Sequence, residues 1–252
     1  MPKIFDQLFF GYNLSLGDAF IMNGIVHYYA DQCYRLHISA SPDYYNNIKT
    51  LYQDFPHIQV IAISSVEEYD PYIKANNMSR IMLCPVNTIM INGKQTHIAF
   101  DQQYYDWFSL PFSMRYSNFR LPKHVDGADE LYDRLISKNE PYILIHNKTF
   151  HHPNGLPIDI EGFRRANGLP DIKVIYVDEA LDDRHIFRWI KLIRNAAEIH
   201  VVSSSFWNLV DSMFNQTQAK LFFHDARAFS YTRVNSVWNN NCWTIVNYSE
   251  KV

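Results

Sequence analysis

Ala197-Glu-Ile-His-Val-Val-Ser-Ser-Ser-Phe-Trp-Asn-Leu-Val-Asp-Ser-Met213 changes character at its middle. Ile199 to Val202 is short, apolar and rich in β-branched residues, the pattern of a buried strand. Phe206, Leu209, Val210 and Met213 then recur at helical spacing, so one face of a helix is apolar. Ser203, Ser204 and Ser205 lie at the join. Serine is a favoured helix N-cap, because its hydroxyl accepts a bond from a backbone N–H left unpaired in the first turn. A strand running straight into such a helix leaves free N–H groups and the positive end of the helix dipole at the strand's carboxyl end. Phosphate and other anions bind well there. The same serines also suit a purely structural cap, and the sequence leaves both readings open.

Working outward, the same alternation recurs on both sides of this unit. Upstream, Tyr142-Ile-Leu-Ile145 reads as a strand ending in the polar loop His146-Asn-Lys-Thr-Phe-His-His152, and Lys173–Val177 as a strand ending at Asp178-Glu179. Ile186, Trp189, Ile190 and Ile193 mark a helix. Downstream, Leu221-Phe-Phe223 is a strand ending in His224-Asp-Ala-Arg227, and the tail with Trp238 and Trp243 is expected to pack back on the body. In the first half, Ile4–Phe10 is a strand and a helix runs to about Ala30 with Ile21, Ile25, Tyr28 and Tyr29 on its apolar face. Strands at Arg35–Ser39, His57–Ile63 and Arg80–Leu83 follow, with a helix after Pro42 carrying Tyr44, Ile48, Leu51 and Tyr52. Asp101 to Leu121 is dense in aromatics and reads as packing, although Arg115 and Arg120 could face a cleft. Strand–helix alternation predicts parallel sheets covered on both faces. The fold class is therefore α/β, with two Rossmann-like parallel-sheet domains facing each other across a cleft. Residues 1–122 form the first, the polar segment 123–140 (one short helix with Leu131 and Leu135) a linker, and 141–252 the second.

Composition narrows the partners. With 252 residues, 47% hydrophobic and 15% aromatic, the chain can build real cores. The formal net charge is −3 and no Lys/Arg run is long enough to track a nucleic-acid backbone, so a nucleic-acid partner is not expected. Cys33, Cys84 and Cys242 lack CxxC spacing, which fits a reducing compartment and not a disulfide framework or thiolate zinc site. With no signal-peptide pattern and no apolar run of roughly 20 residues, no transmembrane segment is expected and the chain reads as cytoplasmic.

Ligands of open parallel sheets bind outside the carboxyl ends of the strands. In the first half those ends carry Asn13, Ser15, Gly17 and Asp18; in the second, His146, Asn147, Lys148, Asp178, Glu179, Ser203, Ser204, Ser205, His224 and Arg227. Lys148, Arg227 and the helix end at Ser204–Ser205 suit a diphosphate. Asp178 or Glu179 could accept from ribose hydroxyls. Asp18 is either a helix-start acid or a carboxylate that takes a proton from an acceptor hydroxyl. His151-His152 is a weak metal signal, and Asp178-Glu179 with Asp182-Asp183 could hold a divalent ion, but neither is the favoured reading. There is no GxGxxG, GxxxxGK[ST] or GxSxG, which disfavours dinucleotide-dependent oxidoreduction, P-loop chemistry and a nucleophile elbow.

Leu16-Gly-Asp-Ala-Phe20 with Asn23-Gly24 resembles the N-terminal Gly-Asp loop of heptosyltransferase-type glycosyltransferases of the GT-B fold. Phe100-Asp-Gln-Gln-Tyr-Tyr105, Leu110-Pro-Phe-Ser-Met-Arg115, Tyr142-Ile-Leu-Ile-His146, Glu198-Ile-His-Val-Val-Ser-Ser-Ser-Phe206 and Phe223-His-Asp-Ala-Arg227 resemble stretches of small glycosyltransferase-like proteins of bacteria and large viruses. The chain is shorter than typical two-domain enzymes of that fold, and Asn147 stands where a His-Asp version of its loop carries Asp. The resemblance implies a nucleotide sugar on the C-terminal domain, and a glycan or glycoconjugate acceptor on the N-terminal one near Asn13, Ser15, Gly17 and Asn23. It also implies Asp18 as base, and transfer without a cofactor or obligatory metal. The alternatives are a non-catalytic nucleotide- or glycan-binding protein on the same scaffold, and an esterase using Ser204 or Ser205.

Overall fold

In the computed structural model the described residues are 3–11, 15–82, 89–91, 94–96, 100–137, 140–148, 154–155, 158–166, 172–177, 185–225 and 242–247. The chain divides into two compact units, Met1–Val125 and Asp126–Val252.

The first unit contains β1 (Phe5–Gly11), α1 (Leu16–Ala30), β2 (Cys33–Ala40), α2 (Tyr45–Leu51), β3 (Ile58–Ala62), α3 (Tyr69–Asn76) and β4 (Ser79–Met82). After these come β5 (Ile89–Ile91), β6 (Lys94–Thr96), α4 (Phe100–Trp107) and α5 (Met114–Ser117). Its main sheet has the order β3-β2-β1-β4 with every pairing parallel, for example Phe9 opposite His37 and Arg80. Leu8, Phe9 and Phe10 on β1 are all buried, because successive side chains point to opposite faces and both faces are covered. The expected single apolar face of α1 proves too narrow. Twelve of its residues, Asn23 and His27 among them, are buried, because α1 packs on β2 and α2 and is also covered by α4 and α5. Helix α3 escaped the sequence pattern: Tyr69, Tyr72 and Ile73 pack around Phe9 and Ile63, but Asp70 and Lys74 interrupt the apolar run. Pro71 sits in its first turn, where a missing N–H costs nothing, and Asn77 ends it in the left-handed region at φ 50°. The β5–β6 hairpin, antiparallel, was not expected either.

The second unit contains α6 (Ala128–Leu135), β7 (Tyr142–His146), α7 (Ile160–Ala166), β8 (Lys173–Tyr176) and α8 (Ile190–Asn195). These lead into β9 (Glu198–Val201), α9 (Ser205–Ser212), β10 (Lys220–Asp225) and β11 (Trp243–Asn247). Five parallel strands run in the order β11-β10-β9-β7-β8. The tail does pack back on the body at Trp243, as a fifth strand against β10, and the Trp243 indole donates to Asp211 at 2.9 Å; Trp238 lies outside the described residues. α6 falls within the segment read as a linker. Its Leu131 is buried and it packs against α8, with Lys191 2.7 Å from Asp129. Tyr142 is buried at the start of β7 and donates to the Leu192 carbonyl at 2.7 Å, tying strand to helix. Both units are thus Rossmann-like α/β.

Strand order fixes where ligands can lie. In the first sheet the chain reverses direction between β1 and β4, and in the second between β7 and β9. A crevice opens at the carboxyl ends of such strand pairs. Each reversal has a helix start beside it: α1 after β1, and α9 after β9.

Candidate functional site

At the first helix start, Ser15 is the N-cap in extended conformation (φ −67°, ψ 162°) and Asp18 occupies the third helical position. The Ser15 backbone N–H and hydroxyl both donate to Asp18 Oδ2, at 3.1 and 2.8 Å, a capping box. Tyr104, from α4, donates to the other carboxylate oxygen, Oδ1, at 3.3 Å. Asp18 is half-buried, and burial pushes its carboxyl above the usual aspartate range despite the opposing bonds from Ser15 and Tyr104. A raised carboxyl is a stronger base, as proton abstraction from a hydroxyl requires. Gly17 is simply the second residue of the helix, without the left-handed turn that would demand glycine.

Asn23 is not brought to this helix start. It is fully buried more than a turn beyond Asp18, and its amide spans the Arg120 backbone, accepting at 2.8 Å and donating at 3.2 Å. Its neighbour Gly24 is explained by packing, since a Cβ there would run into the Met114 carbonyl and come within 2.9 Å of the Tyr105 hydroxyl. Arg115, a candidate cleft cation, is instead fully buried in an ion pair with Asp101, and Arg120 pairs with Asp31 at 3.3 Å.

At the second helix start, Ser204 is the N-cap (φ −161°, ψ 173°), and its hydroxyl oxygen accepts from the Trp207 N–H at 3.2 Å. The same Ser204 Oγ lies 3.2 Å from Nδ1 of His146, at the end of β7. The Ser204 hydroxyl thus bridges the first turn of α9 and the His146 ring. The His146 ring is buried and stacked on Phe206, 4.8 Å between centroids at 15°. Burial, helped by Lys148, pushes it down to about 3, so it stays neutral. A neutral, buried, stacked imidazole holding a serine that already caps a helix is poorly set to activate that serine as a nucleophile. The esterase reading therefore has little geometric support.

The first turn of α9 contains no acid, and among the described residues nothing accepts from the backbone N–H of Ser205 or Phe206. Ser203, Ser204 and Ser205 are partly exposed, as are Asn147 and Lys148 just past β7, so the structure gathers these five around one strand pair. Gly155, at φ 90°, closes against Asn147; a Cβ there would sit 2.8 Å from its amide nitrogen.

His224 departs from its expected place at a strand mouth. It points into the interior, 1% exposed, with its Nε2 2.8 Å from His200 Nδ1; His200 Nε2 in turn lies 3.3 Å from Glu198. Phe222 stacks on His200 and Phe163 of α7 closes over both histidines, so this chain of polar groups is core. Asn13, Asp178, Glu179 and Arg227 lie outside the described residues, as do His151, His152, Asp182 and Asp183. Among the described residues no group of three His, Cys, Asp or Glu side chains could hold a metal ion, and no helix is long and apolar enough to cross a membrane.

Tyr104 was not anticipated; its aromatic neighbourhood reads as packing. The signal was present in the spacing of Asp101, Tyr104 and Tyr105, one face of a helix by i, i+3, i+4.

No protein-family model matches the chain, and no curated protein is similar to it in sequence. Solved structures are similar in fold. A family 9 glycosyl transferase from Veillonella parvula aligns with a TM-score of 0.58 at 10% identity, over 98% of this chain and 86% of that one. The ADP-heptose lipopolysaccharide heptosyltransferase II of E. coli aligns with a TM-score of 0.53 at 9% identity, over 96% and 90%. The iron-containing dodecameric glycosyltransferase TibC of enterotoxigenic E. coli aligns at 0.52 and 14% identity, over 87% of this chain and 58% of its own.

Proposed function

We propose that this chain is a glycosyltransferase moving a sugar from a nucleotide-sugar donor to a hydroxyl of a glycan or similar acceptor, without an obligatory metal or cofactor and in the cytoplasm. The observation that carries the reading is the start of α9: partly exposed serines, no first-turn acid and two backbone N–H groups, of Ser205 and Phe206, that nothing among the described residues accepts from, beside Lys148. The similarity of fold to glycosyltransferases supports it.

In this reading the donor's diphosphate rests on the N–H groups of Ser205 and Phe206, with Ser203, Ser205, Lys148 and Arg227 completing the site and Asp178 or Glu179 taking ribose hydroxyls. The acceptor lies by Asn13, Ser15 and Gly17. Asp18 takes the acceptor's hydroxyl proton as that oxygen bonds to the sugar carbon, and the bond from that carbon to the diphosphate breaks. Charge then grows on the departing phosphate oxygens, and donors fixed beforehand stabilise that charge without reorganising. His146 contributes by holding Ser204 in its capping rotamer.

Thermal-shift titration with UDP-, GDP-, ADP- and dTDP-sugars, followed by transfer assays with and without EDTA, tests the proposal. One donor class is expected to bind and to be turned over equally with EDTA. Asp18→Asn is expected to keep donor binding and lose transfer by about 100-fold or more, the scale of a missing general base. Binding without turnover in the parent protein would favour the non-catalytic alternative; full turnover in Asp18→Asn would remove the base assignment.

A further inference from the structure

Helix α4 presents three buried side chains to α1 and α5, and each makes a polar contact. Asp101 pairs with the fully buried Arg115 of α5. Tyr105, fully buried, donates to the Ile21 carbonyl of α1 at 2.8 Å. Tyr104, 4% exposed, donates to Asp18 Oδ1 at 3.3 Å. The spacing 101, 104, 105 puts all three on one helix face, so they set the height and rotation of α4 together. The absent side chain at Gly24 lets the Tyr105 hydroxyl and the Met114 backbone approach α1 closely. Arg115 also lies over the rings of Phe112 and Tyr116, at 5.9 and 5.3 Å, which locks the guanidinium that Asp101 holds.

We propose that α4 is a brace for the reacting carboxylate and that Tyr104 is its positioning residue: the phenol fixes Asp18 Oδ1, while the Ser15 cap fixes Oδ2. The claim rests on the reading of Asp18 as the base, and it adds a residue from outside the Leu16–Phe20 stretch that suggested that base. With each oxygen held by a different donor, the carboxylate's rotation is restricted. Among the described residues, the groups that bond to it are Ser15 from its own helix start and Tyr104 from α4. Because the phenol donates to the charged form, it favours the ionised carboxylate, and its removal shifts the balance toward the protonated acid.

Tyr104→Phe keeps the ring and its packing and removes only the hydroxyl. In carboxyl-carbon NMR titrations of the full chain, with the Asp18 signal identified by its loss in Asp18→Asn, the Asp18 midpoint in Tyr104→Phe is expected to lie above that of the parent. A second readout is the pH profile of kcat. On its acid limb Tyr104→Phe is expected to fall about three-fold further than on its plateau, the effect of one long hydrogen bond to a charged group, with donor KM unchanged. An unmoved Asp18 midpoint overturns the proposal. The NMR arm needs no turnover: a moved midpoint in a protein that transfers no sugar keeps the brace and removes the proposed function, whereas turnover with an unmoved midpoint does the reverse.

Discussion

The starts of α1 and α9 occupy equivalent places in their two units, each beside the reversal point of a parallel sheet, yet they are chemically opposite. α1 carries its own anion: Asp18, three residues past the cap, already takes the Ser15 N–H and meets the helix dipole with a negative charge. α9 has no acid in its first turn, a neutral N-cap and two N–H groups that nothing among the described residues accepts from. A helix start that supplies its own carboxylate has little left for an external anion, while one that does not is built to receive it. One architecture used twice thus gives a helix start with its own carboxylate in one unit and, in the proposed function, an anion seat in the other.

The comparison breaks most visibly if α9 is made to resemble α1. Ser205→Asp places a carboxylate in the first turn of α9, and nucleoside-diphosphate affinity measured by calorimetry is expected to fall ten-fold or more (about 1.4 kcal/mol or above). The melting temperature is expected to hold or rise, because the acid suits the dipole. Unchanged affinity would mean that the anion does not sit there.

Acid stability should also separate the units. Burial holds His146 and His200 at about 3 and His224 at about 4, all in the second unit, where His185 is lowered too; the first has His27 at about 3, with His37 and His57 also pushed below the usual histidine range. For histidine these folded values lie below the unfolded value of 6.5, so the unfolded chain binds more protons between the two. The stabilisation is complete above about pH 6.5 and lost as pH falls toward 3–4, at about 1.4 kcal/mol per histidine per pH unit. Amide hydrogen exchange between pH 7 and 5 is expected to report a larger loss of protection in β7, β9 and β10, which carry His146, His200 and His224, than in β1, which carries no histidine. The smallest effect is Ser15→Ala, which removes one cap hydroxyl and is expected to cost about 1 kcal/mol in denaturant unfolding.

Much of this was readable from residues. Period and punctuation marked eight of the nine strands in the two parallel sheets, and the serine run marked a strand-to-helix junction whose first turn holds no acid. What escaped did so for physical reasons. α3 and α7 are short, with charged residues inside their apolar spacing, so tertiary packing of Tyr69 and Phe163 decides them more than pattern does. β11 follows a long stretch without periodicity, and its partner β10 is what makes it a strand. His224 sits at a strand end in sequence, but the two-residue alternation turns it to the face covered by α7, where His200 satisfies it. Asn23 likewise looked like a ligand group because sequence does not reveal that the Arg120 backbone, 97 residues away, uses both ends of its amide.

The most direct test follows the backbone amides of both helix starts by NMR while ADP, UDP, GDP or dTDP is added. The amides of Ser205 and Phe206 are expected to shift and saturate with one of these nucleotides while those of Leu16 and Gly17 stay in place. Saturating shifts at Leu16 and Gly17 with none at Ser205 and Phe206 would contradict the assignment of the anion seat to the second unit.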